Sequence, residues 1–302
     1  MKPLSHYAGV ALKGFGMGAA NVVPGVSGGT IALLTGIFSD IVDALNSLTE
    51  KSTWSSLLHG RFKEFWKRIN GTFLVALLVG VLVSVFSLAK LVTLCLQNWP
   101  VPTWAFFFGL ILASTLLMFR DAGKIGVKEI VFIVLGLAIG LVVSTLSPSQ
   151  TRDDLWFIGL CGAISICAMI LPGLSGSFLL LVLGKYEYVM EAISELNWPV
   201  LIVFGIGCVV GILAFAKFLH WLLARWEKQT MLILLGFVLG SLIRVWPWFD
   251  MAAVEAAQMR RTGELAVSSV DLQIPLAIVW CAVGIVLVLV FEYAGSRKAA
   301  KK

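Results

Sequence analysis

Residues 21–30 have the sequence NVVPGVSGGT, and residues 169–178 have the sequence MILPGLSGSF. Each stretch interrupts a long apolar segment, the first at about 8–38 and the second at about 156–186. Proline removes a backbone donor and glycine weakens a helix, so each segment is predicted to form two half-helices joined by a non-helical elbow. Irregular backbone is tolerated inside a membrane only where protein or a watery cavity surrounds it. Both elbows are therefore expected inside the protein.

The chain is too apolar to be a water-soluble globule. Of its 302 residues, 59% are apolar and only 13% are charged, and its mean hydropathy is +0.95. A soluble domain has roughly 25% charged residues, so lipid must be the solvent for most of this surface. The net charge is +6, but the basic residues stand at the ends of apolar runs and form no stripe. Nucleic acid is therefore not expected as a partner.

Six segments have the length and composition of membrane spans. They are 71–96, 103–119, 128–146, 199–222, 230–246 and 274–293. Tryptophans stand at the edges of these segments, where indole rings prefer the headgroup region of a bilayer. These edge residues are Trp99, Trp104, Trp198, Trp221, Trp226, Trp246 and Trp248.

The two elbow motifs belong to an internal repeat. Aligning Pro24 with Pro172, at an offset of 148 residues, also pairs Gly14/Gly162, Ala20/Ala168, Gly25/Gly173, Ser27/Ser175, Gly28/Gly176, Leu33/Leu181, Gly36/Gly184 and Ala44/Ala192. Downstream, an offset of 127 pairs Gly80/Gly207, Ala89/Ala216, Lys90/Lys217, Trp99/Trp226, Gly109/Gly236 and Ser114/Ser241. The predicted repeats are residues 1–150 and 151–302, and the change of offset indicates a 21-residue insertion in the first.

The insertion falls at about 46–70 and contains KSTWSSLLHGRFKEFWKRIN at 51–70. At helical spacing its apolar residues share one face, opposite Lys63, Glu64, Lys67 and Arg68. This pattern is typical of a basic amphipathic helix on the anionic cytoplasmic surface of a membrane. A solvated linker helix is the alternative.

The predicted repeats have opposite orientations in the membrane. Each contains one broken hairpin and three spans, so the number of crossings is odd whether the hairpin re-enters or crosses fully. The basic clusters at 51–68, 120–128 and 225–228 fall on one side, which the positive-inside rule assigns to the cytoplasm. The predicted fold is an all-α polytopic membrane protein with two inverted-topology repeats, each a Pro-Gly-broken, re-entrant hairpin plus three transmembrane helices. Both termini are expected in the cytoplasm.

The elbows also have the chemistry of an anion site. Each offers backbone N–H groups, a serine hydroxyl (Ser27 or Ser175) and the positive end of a half-helix, and these features together bind phosphate or carboxylate. Close helix packing through small residues is the alternative explanation of the motif. Two copies at matched positions of inverted repeats favour the anion site.

Four basic residues are candidate phosphate contacts, because a cation within or beside a span is costly without a partner. Lys90 and Lys217 occupy the same repeat position, and Arg120 and Arg244 close corresponding spans. Arginine suits phosphate because its planar fork holds two oxygens at once. The alternatives are snorkelling of the lysines to the headgroups and topological anchoring by Arg120.

Asp43 and Glu191 follow the two hairpins at closely matched positions and are candidates for coupling transport to a proton or sodium ion. An ordinary surface position at a helix end is the alternative. The three histidines (His6, His59 and His220) are isolated in the sequence, and no Walker loop or metal-ligand cluster occurs. No cofactor, metal or catalytic site is therefore expected.

The pair NVVPGVSGGTIALLTGIF and MILPGLSGSFLLLVLGKYEYV resembles a bacterial and archaeal membrane family, formerly a domain of unknown function, associated with polyprenyl-phosphate translocases of the PopT type. The resemblance covers nearly the whole chain. It implies a flippase in the bacterial cytoplasmic membrane that returns undecaprenyl phosphate from the outer to the cytoplasmic leaflet for envelope polymer synthesis. It also implies substrate contacts at Asn21, Pro24, Gly25, Ser27, Gly28, Gly29, Pro172, Gly173, Ser175, Gly176 and Ser177.

Two other functions are compatible with this sequence. A secondary transporter of a small soluble anion would use the same fold and elbows, but with a closed aqueous vestibule in place of an opening to lipid. A membrane enzyme acting on lipid phosphates would need a nucleophile or base at the elbow, and neither motif contains a histidine or carboxylate.

The inverted topology predicts opposite accessibility for single cysteines placed at positions 63 and 191. Position 63 lies in a basic cluster assigned to the cytoplasm, and position 191 lies in an acidic stretch assigned to the outside. An impermeant thiol reagent added to intact cells should label only the cysteine at position 191. Equal labelling of both positions would contradict the inverted repeat.

Overall fold

The computed structural model describes residues 4–22, 27–148, 151–262 and 271–299. The regular elements in these ranges are helical. In chain order they are α1 Leu4–Val22, α2 Gly28–Leu34, α3 Phe38–Ser47, α4 Lys51–Leu58, α5 Phe62–Arg68, α6 Gly71–Asn98, α7 Pro100–Asp121, α8 Val127–Ser144, α9 Leu155–Ile170, α10 Gly176–Val182, α11 Tyr186–Ser194, α12 Trp198–Ser241, a 3-10 turn Leu242–Val245, α13 Met251–Thr262 and α14 Ile274–Ala299.

The described helices are those of a polytopic membrane protein. Four stretches are long and apolar enough to cross a bilayer, namely Gly71–Leu88, Pro100–Arg120, Val127–Ser144 and Trp198–Val245. The pair α2 and α3, bent by 113° at the break between them, brings the number to five if it forms one broken span. Two more apolar helical stretches, Leu155–Ile170 and Ile274–Val290, are shorter. The all-helical, multi-span class predicted from composition is thereby confirmed.

Helix α12 contains two of the predicted spans, 199–222 and 230–246. A straight helix of its 44 residues would be about 66 Å long, roughly twice the thickness of a hydrocarbon core. The backbone leaves the helical region at Trp226, with φ −140° and ψ 55°. Nearby, Thr230 Oγ1 lies 3.5 Å from the carbonyl oxygen of Leu222, although eight residues of straight helix rise about 12 Å. The chain therefore turns sharply at Trp226 and divides α12 into a first arm, 198–225, and a second arm, 227–241.

Trp99 stands at a similar turn, between α6 and α7, with φ −135° and ψ 60°. These angles are nearly those of Trp226. The two tryptophans are the ones that the offset of 127 pairs in the sequence. The same local backbone geometry therefore occurs at both positions.

Helix α1 packs on α6, and α9 packs on α12. Glycines allow close approach in both pairs. A Cβ at Gly14 would overlap the carbonyl oxygen of Leu77, and a Cβ at Gly162 would overlap the carbonyl oxygen of Phe204. The two contacts correspond at the sequence offsets of 148 and 127. Helices approach this closely in membranes where small residues line the contact.

The later spans pack across the boundary between the predicted repeats. Helix α8 packs on α12, and α14 packs on α7. A Cβ at Gly109 would overlap the carbonyl oxygen of Cys281, and a Cβ at Gly236 would overlap that of Ile133. These contacts also correspond at the two offsets. Each half of the chain therefore supplies a helix that packs on the other half.

The predicted amphipathic helix at 46–70 is instead two short helices, α4 and α5. The chain turns between them at Gly60, whose φ of +71° is easily adopted by glycine. Leu58 and Phe62 beside the turn are 84% and 66% exposed, and Glu64 pairs with Arg61 and Arg68 at 3.2 and 3.0 Å. A position of this segment at the membrane surface stays a prediction.

Gly207→Ala is expected to destabilise the fold, since a Cβ there would overlap the carbonyl oxygen of Gly159 on α9. Forcing the helices apart should lower the free energy of unfolding by about 1–3 kcal/mol. Gly205→Ala is the matched control in the same arm of α12, because no atom lies within 4 Å of its added Cβ. Thermal unfolding in detergent should separate the variants, and equal loss of stability would contradict the proposed close approach.

Candidate functional site

The first elbow lies between α1 and α2, and Pro24 and Gly25 fall outside the described residues. Two backbone donors at its described end are occupied. Asn21 Oδ1 accepts the N–H of Gly28 at 2.7 Å, and Ser27 Oγ accepts the N–H of Gly29 at 3.1 Å. The expectation that this elbow presents free N–H groups is therefore wrong at Gly28 and Gly29, because side chains of the motif cap them.

The two elbows contact each other inside the protein. Ser27, only 1% exposed, donates its hydroxyl proton to the carbonyl oxygen of Leu171 at 3.1 Å. The N–H of Gly173 donates to Thr30 Oγ1 at 2.7 Å, across 143 residues of sequence. Gly29 also packs against the carbonyl oxygen of Ile170, which would lie 2.5 Å from an added Cβ. At these described positions the irregular backbone is packed against protein, as a membrane segment requires.

The second elbow has a different local structure. Pro172 is buried. Gly173 has φ +85°, and a Cβ added to it would lie 2.5 Å from Ser241 Oγ, so only glycine fits there without strain. Ser175 pairs with Ser177 through their hydroxyl oxygens at 2.7 Å and does not cap α10 with its side chain. Gly176 is buried, whereas Ser177 is exposed.

A cavity of about 740 Å³ lies beside the second elbow. It brings together Asn21, Ser177 and Arg244, which come from the end of α1, the start of α10 and the 3-10 turn. Three separated parts of the sequence thus meet at one polar site. The other lining residues are Trp104, Phe178, Leu181, Tyr186, Phe249, Asp250 and Met251.

Two aromatic rings hold the guanidinium of Arg244. Its central carbon lies 4.3 Å from the ring centroid of Phe178 and 4.7 Å from that of Phe249, which are cation–π distances. The N–H donors of a guanidinium lie in its own plane, where a phosphate can accept them. Among the described ion pairs, none joins Arg244 to a carboxylate.

The other candidate cations lie elsewhere. Lys90, Lys217 and Arg120 are exposed and do not line this cavity. The structure therefore separates them from Arg244, and a role for them in phosphate binding stays a prediction.

The candidate coupling carboxylates also lie outside the cavity. Glu191 is exposed, whereas Asp43 Oδ1 contacts His220 Nδ1 at 2.9 Å. His220 is thus not isolated, and that sequence interpretation was wrong because the two residues are 177 positions apart. In the described ranges no three His, Cys, Asp or Glu residues are grouped to hold a metal ion.

Several site residues were missed by the sequence analysis. Thr30 and Phe178 are the last residues of the two quoted stretches and correspond at the offset of 148, so extending the predicted substrate contacts by one residue in each stretch would have included both. Phe249 and Asp250 follow Arg244 closely, but nothing in the local pattern marks them as neighbours of the second elbow.

A multi-span membrane protein with broken helices that meet beside a polar, arginine-containing cavity is the class of protein that moves a solute or lipid across the bilayer. The family model described as "undecaprenyl phosphate translocase-like", of the VCA0040-like type, matches residues 17–263. The chain belongs to this VCA0040-like family, whose members are transporters and not enzymes.

Two curated relatives are similar over most of their length. The chain is 40% identical over 246 residues to a polyprenyl-phosphate transporter of Vibrio cholerae serotype O1, covering 80% of this chain and 79% of that protein. It is 34% identical over 257 residues to a polyprenyl-phosphate transporter of Staphylococcus aureus, covering 78% and 85%. No solved structure shows significant similarity to the chain.

Thr30→Val is expected to loosen the contact between the elbows, because it leaves the buried N–H of Gly173 without its acceptor. The cost of an unpaired buried donor is about 1–3 kcal/mol of unfolding free energy. Thr30→Ser keeps the hydroxyl and is the matched control. Thermal unfolding in detergent measures both, and a stable Thr30→Val variant would show that the bond does not hold the elbows together.

Proposed function

We propose that this protein is a lipid-carrier flippase that returns undecaprenyl phosphate from the outer to the cytoplasmic leaflet of the bacterial inner membrane. The names of the two relatives support the class of substrate. The observation that carries the proposal is the position of Arg244 in a polar cavity beside the two elbows. The returned lipid would serve envelope polymer synthesis.

The cavity supplies what this substrate requires. Most of the cost of moving a lipid phosphate lies in taking its charged headgroup through hydrocarbon, whereas the tail can stay in lipid. Arg244 offers a cation with planar donors, and Ser177 and Asn21 add neutral polar groups to the same wall. The headgroup would bind there while the polyprenyl tail remains outside.

The arrangement of helices supports an inverted repeat with units 1–150 and 151–302, re-entrant hairpins and both termini in the cytoplasm. Its support is the shared geometry of Trp99 and Trp226 and the matched glycine contacts between helices. The 113° bend between α2 and α3 suits a re-entrant hairpin. In this topology the cavity lies towards the outer side of the membrane.

Burial differs between corresponding positions of the two hairpins and supports uptake from the outer leaflet. Leu181 and Tyr186 at the cavity are 40% and 38% exposed, whereas Leu33 and Phe38, their counterparts at the offset of 148, are 1% and 2% exposed. One hairpin is thus open to a cavity and the other is packed. An exchange of these two states would carry the site from one leaflet to the other.

Arg244→Gln is expected to weaken binding of undecaprenyl phosphate by roughly 10- to 100-fold, the loss of a charge-assisted hydrogen-bonded contact. Binding of a labelled lipid to purified protein measures this, and proteoliposomes measure the accompanying loss of translocation. Arg225→Gln is the matched control, because Arg225 also lies over an aromatic ring, 5.2 Å from that of Trp226, but outside the cavity.

Competition experiments separate this proposal from the alternatives. Undecaprenyl phosphate should displace the labelled lipid far better than inorganic phosphate or the neutral polyprenyl alcohol. Equal competition by inorganic phosphate would favour a soluble-anion transporter, and equal competition by the alcohol would exclude an anion site. Normal binding of undecaprenyl phosphate by Arg244→Gln would show that the headgroup does not bind beside Arg244 in this cavity.

A further inference from the structure

Asp250 is the acidic member of the cavity wall. Among the described residues that line the cavity, Arg244 supplies the cation and Asp250 the carboxylate, and the remaining side chains are neutral. The two formal charges of the wall therefore cancel. A bound phosphate adds negative charge to a site that contains one arginine and one opposing carboxylate.

Asp250 also caps a helix, and this role does not neutralise its charge because its partner is a backbone N–H group. Its Oδ1 accepts the N–H of Ala253 at 3.1 Å, at the start of α13. The residue is exposed, and none of the described ion pairs joins it to Arg244 or to another cation. Asp250 and Arg244 therefore interact electrostatically without forming a salt bridge, and the carboxylate also repels any anion that enters the cavity.

The size of the cavity does not distinguish between lipid headgroups. About 740 Å³ is within the usual range of small-molecule sites and accommodates either a phosphate or a diphosphate. Their charges differ, because the diphosphate is the more negative of the two. One arginine offsets much of the charge of a single phosphate, whereas the second phosphoryl group would face Asp250 without a cation of its own.

We propose that Asp250 is a specificity-determining residue that favours lipids with one phosphate over lipid diphosphates. The inference rests on the proposed function, because it assumes that the headgroup binds beside Arg244. Discrimination of this kind arises from repulsion of the wrong ligand as much as from attraction of the right one. Asp250 supplies the repulsion, and Arg244 supplies the attraction.

Asp250→Asn tests the inference by removing the charge alone. Asparagine caps helices about as well as aspartate, so the bond to Ala253 should remain. Asp250→Ser is a second neutral variant that preserves a capping oxygen. Glu255→Gln is the matched control, since Glu255 is an exposed carboxylate on α13 outside the cavity lining.

The measurement is competition against a labelled polyprenyl monophosphate by unlabelled monophosphate and diphosphate of the same chain length, with full-length protein in detergent. Wild-type protein and Glu255→Gln should prefer the monophosphate. In Asp250→Asn and Asp250→Ser the ratio of the two half-maximal inhibitory concentrations should shift towards the diphosphate by roughly 5- to 10-fold, the effect of one unit charge that is largely screened by water.

Each outcome is decisive. Monophosphate binding with the same ratio in all four proteins would overturn the role of Asp250 and leave the proposed function intact. Equal competition by the two lipids in wild-type protein would also overturn it. Failure of wild-type protein to bind the monophosphate would overturn the proposed function and, with it, this inference. A shift in both neutral variants and not in Glu255→Gln would support it.

Discussion

The structure depends on hydrogen-bond partners for the backbone N–H and C=O groups where its helices are broken inside an apolar protein. A broken helix in a membrane leaves N–H and C=O groups that lipid cannot bind, and each unpaired group is costly. Here side chains beside the first elbow supply partners for the backbone of the second: Ser27 donates to the carbonyl of Leu171, and Thr30 accepts from the N–H of Gly173. The first helix break therefore stabilises the second. The second elbow could not keep this conformation if the hairpins were separated without new partners for these groups.

The same contact also affects the surroundings of Arg244, the candidate phosphate-binding cation. Helix α10 begins directly after the second elbow, so the position of the elbow sets that of Phe178, one of the two rings that hold Arg244. A change in the contact between the elbows would therefore displace one side of the arginine's environment. This connection gives a physical route by which movement of a hairpin could alter headgroup binding. It needs no long pathway, because Phe178 lies in the first turn of the helix that follows the elbow.

Much of the fold was predictable because it depends on the local composition of the sequence. The lengths of the apolar segments predicted the spans at 71–96, 103–119 and 128–146, and the Pro-Gly pairs predicted the elbows. Asn21 and Ser177 were candidates from the family resemblance and Arg244 from its charge, and the structure brings them to one cavity. The contact of His220 with Asp43 could not be predicted, because it joins residues 177 positions apart. The break at Gly60 was missed because the helical spacing of apolar residues in the sequence continues from α4 into α5 across the turn.

An aromatic environment suits a cation that must bind and release its ligand. A buried arginine paired with a carboxylate would have to exchange that partner for each phosphate, and breaking such a pair is costly. Phe178 and Phe249 contact the guanidinium of Arg244 without consuming its hydrogen-bond donors. Headgroup binding can then add hydrogen bonds without displacing an ion pair, and release does not require one to re-form. If the protein is the proposed flippase, such a site would avoid an affinity high enough to trap the lipid halfway across the membrane.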